Sequence, residues 1–303
     1  MTLPLRIAPA IADALEAGGP VVALETTAIA HGLPYPANLE LAQRQQGAIR
    51  DKGAIPAVIG LWQGEVRIGL DDGTLEAFAR GQDFAKVSRR DIAVVLARKE
   101  PGATTVAGTM LCAAAAGIRL FATGGIGGVH RGGEDSFDIS ADLTELGRTP
   151  VAVVSAGAKA ILDLPRTLEV LETEGVPVIG YRTDDFPAFY TRHSGLSVLA
   201  RADSAAEIAA LLHAQWNAGL GGVLIANPVP QAAALDERQV EAWIDEALAE
   251  AAALGIAGKE VTPFLLQHLA RVSDGATSRC NEVLLEHNAM IAAEIAVAFA
   301  RMR

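Results

Sequence analysis

Glu25 is the first residue whose position in the chain points to chemistry. It follows the apolar run Pro20–Leu24 and leads into two threonines and the segment His31–Pro36. Ligands of open α/β sheets bind beyond the carboxyl ends of the strands, so a glutamate at a strand end is well placed to meet a substrate. If burial raises its pKa, Glu25 can act as a general acid. The alternative is a carboxylate that caps the following turn.

Lys159 is the second such residue. It follows the apolar run Val151–Ser155, and its nearest neighbours are alanine, glycine and isoleucine. Lys52, Lys99 and Lys259 stand in polar or loop contexts instead. An apolar setting without a local anion favours the neutral amine, which is the nucleophilic form. The alternative is a helical lysine that extends its charged end into solvent.

A glycine-rich segment contains the third group. Residues 123–132 include five glycines, and Asp138, Ser140 and Asp142 follow them. The main-chain N–H groups of such a segment can bind an anion. The three side chains offer the hard oxygen ligands that Mg²⁺ and Mn²⁺ prefer. The alternative is a tight turn followed by Asp and Ser residues that cap a helix.

A cluster of cations forms the fourth group. Lys86, Arg89 and Arg90 lie within five residues of one another. Together they can bind a phosphate group through charge-assisted hydrogen bonds. The alternative is a charged surface that only contacts solvent.

The elements that must position these residues are short apolar runs alternating with amphipathic stretches. Runs that are apolar on both faces suit strands covered by helices on both sides. Residues 64–69 instead alternate, and they predict an antiparallel hairpin with Ala57–Leu61 that turns at Gln63 and Gly64. The predicted strands are Pro20–Leu24, Ile55–Gly60, Glu65–Gly69, Ile92–Leu96, Ile118–Ala122, Val151–Ser155, Val176–Gly180 and Gly222–Ala226.

Helical patterns fill the intervals between the predicted strands. Apolar residues recur at helical spacing over Val240–Ala251. Thr262 and Pro263 are expected at the N-cap and first position of a helix that runs to about Val272. A long alanine-rich helix is predicted for Asn281–Met302. The predicted fold is α/β, a three-layer α/β/α sandwich with a mixed, mostly parallel central sheet, in a single domain over residues 1–303.

Composition limits the class of protein. The 303 residues are 50% hydrophobic and 20% charged, and the net charge of −11 argues against nonspecific nucleic-acid binding. Cys112 and Cys280 cannot form a disulfide framework, which suits a reducing cytoplasmic compartment. The N-terminal stretch carries Asp13 and Glu16 and no sustained apolar run, so no signal peptide is expected. No apolar run approaches the roughly 20 residues of a transmembrane helix.

A series of sequence blocks, in their order along the chain, resembles the pseudouridine-5′-phosphate glycosidase family, which includes proteins like indigoidine synthase A. The resemblance covers about residues 5 to 300 and is specific, because many unrelated blocks occur together. Thr26 stands where the family more often has serine. The blocks are Ala23–Thr27, His31–Pro36, Lys86–Asp91, Gly102–Val106, Phe121–Gly132, Phe137–Leu143, Ala156–Lys159, Gly180–Tyr181, Phe186–Tyr190, Ala226–Pro230 and Thr262–Leu266.

The resemblance implies an activity and a set of residue roles. The family reversibly splits pseudouridine 5′-phosphate into uracil and ribose 5-phosphate. Glu25 resembles the proton donor that helps open the ribose ring, and Lys159 the nucleophile that forms a ring-opened adduct and Schiff base. Asp138 resembles the ligand of one Mn²⁺ per subunit, bound largely through waters. The implied substrate-binding residues are Lys86, Val106, Thr123, His130, Ser140, Ala141, Asp142 and Asn281.

The implied chemistry explains why a lysine is needed. The substrate joins uracil to ribose by a carbon–carbon bond, so uracil C5 must accept the bonding electrons. The paired carboxylates of an ordinary glycosidase do not solve this problem. A lysine bonded to C1′ solves this problem, because the sugar can leave as an iminium while C5 accepts the bonding electrons and is protonated.

Other readings of the same residues stay open. One is a related C-glycosidase or Schiff-base sugar-phosphate lyase, as in indigoidine pathways, and Lys159 fits it equally well. Another is a non-catalytic sugar-phosphate-binding protein, which the presence of Glu25, Lys159 and Asp138 argues against. The resemblance also implies a homotrimer that acts in pseudouridine catabolism on a small-molecule substrate, without nucleic-acid or membrane partners.

Overall fold

The protein, a computed structural model, is described over residues 3–81, 84–256 and 261–302, so Lys259 lies outside the described residues. The strands are β1 Leu5–Ile7, β2 Val21–Leu24, β3 Ile55–Trp62, β4 Glu65–Ile68, β5 Ala85–Val87, β6 Gly102–Thr104, β7 Leu120–Ala122, β8 Val129–His130, β9 Ala152–Ser155, β10 Leu162–Asp163, β11 Val178–Tyr181, β12 Ala200–Ala202 and β13 Val223–Ala226. The helices are α1 Pro9–Glu16, α2 Thr27–Ala30, α3 Ala37–Asp51, α4 Asp72–Arg80, α5 Ile92–Arg98, α6 Val106–Ala115, α7 Gly133–Ser136, α8 Ala141–Arg148, α9 Leu164–Thr173, α10 Ala205–Asn217, α11 Glu237–Ala253, α12 Val261–Val272 and α13 Ala276–Ala300, with a 3₁₀ turn at Gln231–Ala233.

Eleven of the described strands form one mixed sheet, and β8 and β10 form a separate antiparallel pair. The main path of the sheet runs β1-β4-β3-β2-β7-β9-β13-β11-β12. Neighbours from β3 through β12 are parallel, whereas β4 and β6 pair with β3 in the antiparallel sense. The predicted α/β sandwich with a mixed, mostly parallel sheet is confirmed. The single domain over residues 1–303 stays a prediction.

Side chains of the central strands alternate between two buried clusters. In β2, Val21 and Ala23 belong to one cluster, which includes Met110 of α6. Val22 and Leu24 belong to the other, which also holds the C-terminal half of α13. Strands covered by helices on both faces need apolar residues at every position, which is why their sequences are continuous apolar runs.

Seven of the eight predicted strands are confirmed within a few residues, and so is the hairpin. Gln63 and Gly64 have φ values of 54° and 82°, as the two central residues of a type I′ turn require. The predicted strand Ile92–Leu96 is wrong, because these residues lie in α5. Ile92 and Val95 are buried while Val94 is exposed, which is the spacing of a helix packed on one side.

The predicted helices are also present. The apolar stripe of Val240–Ala251 lies in α11, and α12 ends at Val272 as expected. Thr262 and Pro263 lie inside the first turn of α12 instead of at its cap. The alanine-rich helix α13 begins earlier than predicted, at Ala276.

One described helix, α13, is long and apolar enough to cross a membrane by length and composition alone, contrary to the sequence-based expectation. More than half of its most apolar window, 56%, is buried inside the protein. Ile291 and Ile295 pack in the same core as Leu212 of α10. The central core helix of a folded protein meets the same length and hydropathy criteria.

Candidate active site

Four neighbouring parallel strands bring the candidate catalytic residues to one edge of the sheet. The order β2-β7-β9-β13 places Glu25, Thr123 and Asn227 directly after their strands, and Lys159 follows β9 at a short distance along the chain. The carboxyl ends of parallel strands share one edge, where α/β proteins bind ligands. Glu25 and Lys159 are therefore brought together, while their catalytic roles stay predictions.

Glu25 is partly buried and accepts a short hydrogen bond from the Thr123 hydroxyl. Burial raises the pKa of its carboxyl, because desolvation disfavours the charged form. The Lys159 and Lys86 amines and the Thr123 hydroxyl act in the opposite direction, and Asp142 adds to the rise in pKa. The net rise brings Glu25 closer to the protonated form that a general acid needs.

Lys159 is held in a loop and not on a helix. Its N–H donates to the Ile126 carbonyl at 3.1 Å, and its own carbonyl accepts from the Leu162 N–H at 3.0 Å. Ala158 beside it is fully buried, so the apolar surroundings expected from the sequence are present. The sequence neighbours of Lys159 carry no anion, but Glu25 interacts with it electrostatically from a different strand.

Gly157 makes the Lys159 loop possible. Its φ of 81° lies in the left-handed region that favours glycine. A Cβ at this position would also lie 2.2 Å from the Pro187 carbonyl oxygen. The Gly157 carbonyl accepts from the Ile126 N–H at 3.0 Å, which fastens this loop to the glycine-rich segment.

A buried pair of threonines fixes the end of β2 against β6. Thr26 donates to the Ile59 carbonyl at 2.8 Å and accepts from the Thr104 N–H at 2.9 Å. The Thr104 hydroxyl donates to the same carbonyl at 2.8 Å. Since Glu25 adjoins Thr26 and Lys86 lies on β5, which pairs with β6, these bonds set the position of Glu25 relative to Lys86.

The predicted cation cluster divides between the site and the surface. Lys86 acts electrostatically on Glu25 and therefore lies near the site. Arg89 pairs with both carboxylate oxygens of Glu145, at 2.5 and 2.7 Å. The Arg90 side chain is 89% exposed. Lys86 remains the candidate for phosphate binding. Arg90 fits the alternative of a charged surface, whereas Arg89 pairs with the buried carboxylate of Glu145.

The glycine-rich loop binds an anion, but that anion is Asp142 of the protein itself. The Gly127 N–H donates to Oδ2 of Asp142 at 2.8 Å, and the Ala107 N–H donates to Oδ1 at 2.9 Å. A Cβ at Gly127 would lie 2.3 Å from the Ser140 hydroxyl oxygen, so this glycine serves close packing. The Gly127 N–H is thus already used by Asp142, and binding of a ligand anion by the other N–H groups of the glycine-rich segment stays a prediction.

Ser140, Ala141 and Asp142 form the start of α8. Ser140 is the N-cap, and its hydroxyl accepts from the Asp142 N–H at 3.2 Å. The helix-capping alternative is thus correct for Ser140. Ala141 is exposed and Asp142 is buried. Because Asp142 joins α6, α8 and the glycine-rich loop, it fixes the shape of the site, and substrate contacts of these three residues stay predictions.

His130 and Asp138 face each other across a tight loop. The His130 N–H donates to the Asp138 carbonyl at 3.0 Å. Burial lowers the pKa of the His130 imidazole. The nearby amines of Lys159 and Lys86 lower this pKa further, whereas the Asp138 carboxylate raises it. The imidazole therefore favours its neutral form, in which one ring nitrogen donates and the other accepts a hydrogen bond.

Asp138 is the carboxylate that the family resemblance assigns to a metal. Over residues 3–81, 84–256 and 261–302, no three His, Cys, Asp or Glu side chains converge as a metal-binding group. Both oxygens of Asp142 already accept main-chain N–H groups. A single carboxylate fits Mg²⁺ or Mn²⁺, which keep several waters and use one or two carboxylates with substrate phosphates. It does not fit zinc, which takes three or four protein ligands.

Val106 and Asn281 approach the site on two helices. Val106 begins α6 and is buried in the core, and its contact with a substrate stays a prediction. Asn281 lies on α13, and a Cβ at Gly124 would be 3.3 Å from its Oδ1 atom. Glycine at position 124 therefore lets α13 come close enough for Asn281 to border the glycine-rich loop.

Asn288 and Asn227 are residues of this site for which the sequence predicted no role. Asn288 is fully buried on α13 and donates to the Thr123 carbonyl at 2.8 Å. It accepts from the Asn227 amide, also at 2.8 Å. For Asn288, the sequence signal that could have indicated a role is an amide side chain within an alanine-rich helix. A buried amide needs hydrogen-bond partners, so its presence there indicates a polar contact.

Comparisons with known sequences agree with this geometry. Residues 10–298 match the family model described as indigoidine synthase A like protein. A protein of Sorangium cellulosum named pseudouridine-5′-phosphate glycosidase is 52% identical over 299 residues, which covers 98% of this chain and 94% of the relative. A protein of the same name from Geobacillus kaustophilus is 55% identical over 287 residues, covering 94% and 95%.

Solved structures share the fold over nearly the whole chain. A prealnumycin C-glycosynthase in complex with ribulose 5-phosphate matches with a TM-score of 0.92 and 44% identity, covering 98% of this chain and 97% of that one. An indigoidine synthase A-like protein of Thermotoga maritima matches with a TM-score of 0.89 and 37% identity, covering 99% and 97%. The chain is thus an α/β-sandwich enzyme. It belongs to the indigoidine synthase A-like family.

Proposed function

We propose that this enzyme reversibly cleaves the C–C glycosidic bond of pseudouridine 5′-phosphate to give uracil and ribose 5-phosphate, as a step of pseudouridine catabolism. The observation that carries the proposal is the placement of Glu25 and Lys159 beyond the carboxyl ends of the neighbouring strands β2, β7 and β9, where the two side chains interact electrostatically. The names of the Sorangium and Geobacillus relatives support the choice of substrate.

The first step opens the ribose ring. Glu25 gives its proton to the ring oxygen as the bond between that oxygen and C1′ breaks, and Lys159 forms a bond from its nitrogen to C1′. The raised pKa of Glu25 favours the protonated form that a proton donor needs. The Thr123 hydroxyl donates to the carboxyl group, so it fixes the orientation of the acid.

The second step breaks the bond between base and sugar. The electrons of the C1′–C5 bond move to uracil C5, where a proton is added, and C1′ stays on Lys159 as an imine. Water then adds to the imine, which releases ribose 5-phosphate and restores the amine. A lysine suits this step because its nitrogen can share electrons with C1′ as the carbon–carbon bond breaks.

The protein is expected to release equal amounts of uracil and ribose 5-phosphate when it is incubated with pseudouridine 5′-phosphate and Mn²⁺. Chromatography of the products measures both. The reverse mixture of uracil and ribose 5-phosphate should form the nucleotide. A folded protein that produces neither reaction would contradict the proposed substrate.

The phosphate group is expected to contribute strongly to recognition. Lys86 and His130 are the proposed phosphate-binding side chains, and both lie near the catalytic pair. Each lost charge-assisted hydrogen bond costs about 1.5–3 kcal/mol, or roughly tenfold to a hundredfold in kcat/KM. Unphosphorylated pseudouridine should therefore react far more slowly than its 5′-phosphate. Equal kcat/KM values for the two would contradict this assignment.

Uridine 5′-phosphate provides the matched control for the glycosidic bond. It keeps the phosphate and the sugar, but its base is attached through N1. The proposed site protonates a carbon and not a nitrogen. This nucleotide is therefore expected to bind to the enzyme but to be cleaved only slowly. Inhibition constants and product assays distinguish these two effects.

A divalent metal is proposed to bind at Asp138, with Mn²⁺ as the preferred ion and waters as most of its ligands. When bound, such an ion supplies positive charge that can orient a phosphorylated substrate. Chelation is expected to abolish activity, and Mn²⁺ should restore it better than Zn²⁺, because hard oxygen ligands disfavour zinc. Asp138→Ala should lose the Mn²⁺ stimulation and keep its unfolding temperature. Full activity after exhaustive chelation would contradict the proposal.

A second candidate is the formation of a C–C bond between a pentose phosphate and another acceptor. The solved C-glycosynthase with ribulose 5-phosphate favours this class, since it shares 44% identity with this chain. The acceptor discriminates the two functions. If uracil is neither released nor incorporated while ribose 5-phosphate still forms a Lys159 imine, the enzyme acts on a different acceptor.

Assembly and location complete the proposal. A homotrimer is proposed from the family resemblance, and sedimentation equilibrium should give three times the 31.5 kDa chain mass. A cytoplasmic location is proposed because Cys112 and Cys280 are free and buried thiols. Burial raises the pKa of each thiol to about 12, which keeps both unreactive.

A further inference from the structure

A buried amide on α13 reaches the strand ends of the active site. Asn288 is 0% exposed, and its Nδ2 donates to the Thr123 carbonyl at 2.8 Å and to the Gly124 carbonyl at 3.4 Å. Its Oδ1 accepts from Nδ2 of Asn227 at 2.8 Å. An asparagine has two donor hydrogens and one acceptor oxygen, so all of its polar atoms have partners here.

Asn227, supported by His287, fixes the oxygen end of the Asn288 amide. The Asn227 N–H donates to the Ser155 carbonyl at 2.8 Å, and its Nδ2 lies 3.1 Å from Nδ1 of His287. Nδ1 must then be the acceptor, which assigns the remaining ring proton to Nε2. Burial lowers the pKa of His287 and so favours this neutral form. The position of the Asn288 amide is therefore fixed from two neighbouring strands, β9 and β13.

The near side of the same amide sets the position of Thr123. The Thr123 N–H donates to the Val154 carbonyl at 3.0 Å, and the Thr123 carbonyl accepts from the Asn288 side-chain amide. With the main chain fixed at both ends, the hydroxyl of the β-branched side chain has little rotational freedom. That hydroxyl donates to Oε1 of Glu25. A continuous series of hydrogen bonds thus connects His287, Asn227, Asn288, Thr123 and Glu25.

We propose that Asn288 is a positioning residue for the general acid: its amide, held by Asn227, fixes Thr123 so that the Thr123 hydroxyl is aimed at Glu25. The proposal rests on the proposed function of Glu25 as proton donor. We expect no contact between Asn288 and the substrate, and we expect its effect on Glu25 to pass through Thr123.

Stability measurements cannot distinguish positioning from a structural role, because any buried amide destabilises the protein when its partners are lost. The pH dependence of kcat does distinguish a positioning role from a structural role. The groups that act electrostatically on Glu25 are Lys159, Lys86 and Asp142, and none of them changes in the variants below. The alkaline limb is the part of the plot of kcat against pH in which kcat falls as Glu25 loses its proton. The hydrogen bond from Thr123 lowers the pKa of Glu25, so loss of this bond must move the alkaline limb to higher pH.

The first test compares two substitutions of Thr123. Thr123→Val removes the hydroxyl with little change in shape and is expected to move the alkaline limb upward by about one pH unit, the size of one hydrogen bond to a charged group. Thr123→Ser keeps the hydroxyl and should restore most of the wild-type profile. The position of the alkaline limb is the diagnostic readout and KM is not, because Thr123 is also one of the predicted substrate-binding residues.

The second test is a double-mutant cycle. Asn288→Ala is expected to lower kcat about five- to tenfold and to move the limb in the same direction as Thr123→Val. In the Thr123→Val background it should move the limb no further, because its route to Glu25 is already lost. Additive shifts, or no shift for Asn288→Ala alone, would overturn the proposal.

Asn38 provides a matched control. It is 4% exposed, and its Nδ2 likewise donates to two main-chain carbonyls, those of Ile29 and Ala79. Asn38→Ala should lower the unfolding temperature and leave the pH limb in place. If Glu25→Gln has wild-type activity, the proposed function of Glu25 fails. If Glu25→Gln is impaired but the Thr123 and Asn288 variants leave the limb unmoved, only the positioning proposal fails.

Discussion

Lys159→Arg is expected to fold and bind substrate but to lose turnover by about 10⁴-fold or more, as loss of a covalent nucleophile does in other enzymes. A guanidinium keeps its proton and cannot form an imine. The fold should persist, because the observed hydrogen bonds of residue 159 use its main-chain atoms. Steady-state kinetics and intact-protein mass after borohydride treatment measure the loss of turnover and of the adduct.

A surface lysine provides the control for this substitution. Lys52 forms an ion pair with Glu294 at 2.6 Å, away from the strand ends of the site. Lys52→Arg makes the same chemical change and should keep wild-type turnover and adduct mass. Normal turnover of Lys159→Arg would show that the imine is not on the reaction path.

Glu25→Gln is expected to slow turnover by about 10²–10⁴-fold, the usual contribution of a positioned general acid. Glutamine keeps the size of the side chain but has no proton to give. In the wild type, activity requires protonated Glu25, so kcat should fall as pH rises through the pKa of this carboxyl. Burial raises that pKa, so the fall is expected at higher pH than for an exposed glutamate.

The pH profile of the variant separates proton donation from a general loss of structure. The alkaline limb should disappear in Glu25→Gln, because glutamine does not titrate. Glu145→Gln is the control, since Glu145 is also a buried carboxylate but pairs with Arg89. That variant should keep the limb. A Glu25→Gln enzyme with the wild-type rate and profile would exclude Glu25 as the acid.

The positions of Glu25 and Lys159 could be predicted because each follows an apolar run that is long enough to identify a strand. Parallel strands then bring such residues to one edge, whatever their separation in the chain. The same reasoning failed for Ile92–Leu96, where a run of five apolar residues fits a short helix as well as a strand. Strands of two or three residues, such as β5 and β6, carry no periodicity and were missed.

Side-chain partners from distant segments could not be predicted in this way. The glycine-rich loop looked like a site for a ligand anion, but the carboxylate of Asp142 already accepts from Gly127. Likewise, residues 156–161 around Lys159 carry no anion, although Glu25 acts on it electrostatically in the fold. Such pairs depend on strand order and helix packing, which local sequence does not encode.

The most direct test of the account is to locate the trapped sugar. The protein is incubated with ribose 5-phosphate and borohydride, digested, and its peptides are sequenced by mass spectrometry. A reduced ribosyl-phosphate adduct is expected on Lys159 in the wild type, and no adduct is expected in Lys159→Arg. An adduct on Lys86, or one that persists in Lys159→Arg, would contradict the central claim that Lys159 is the nucleophile.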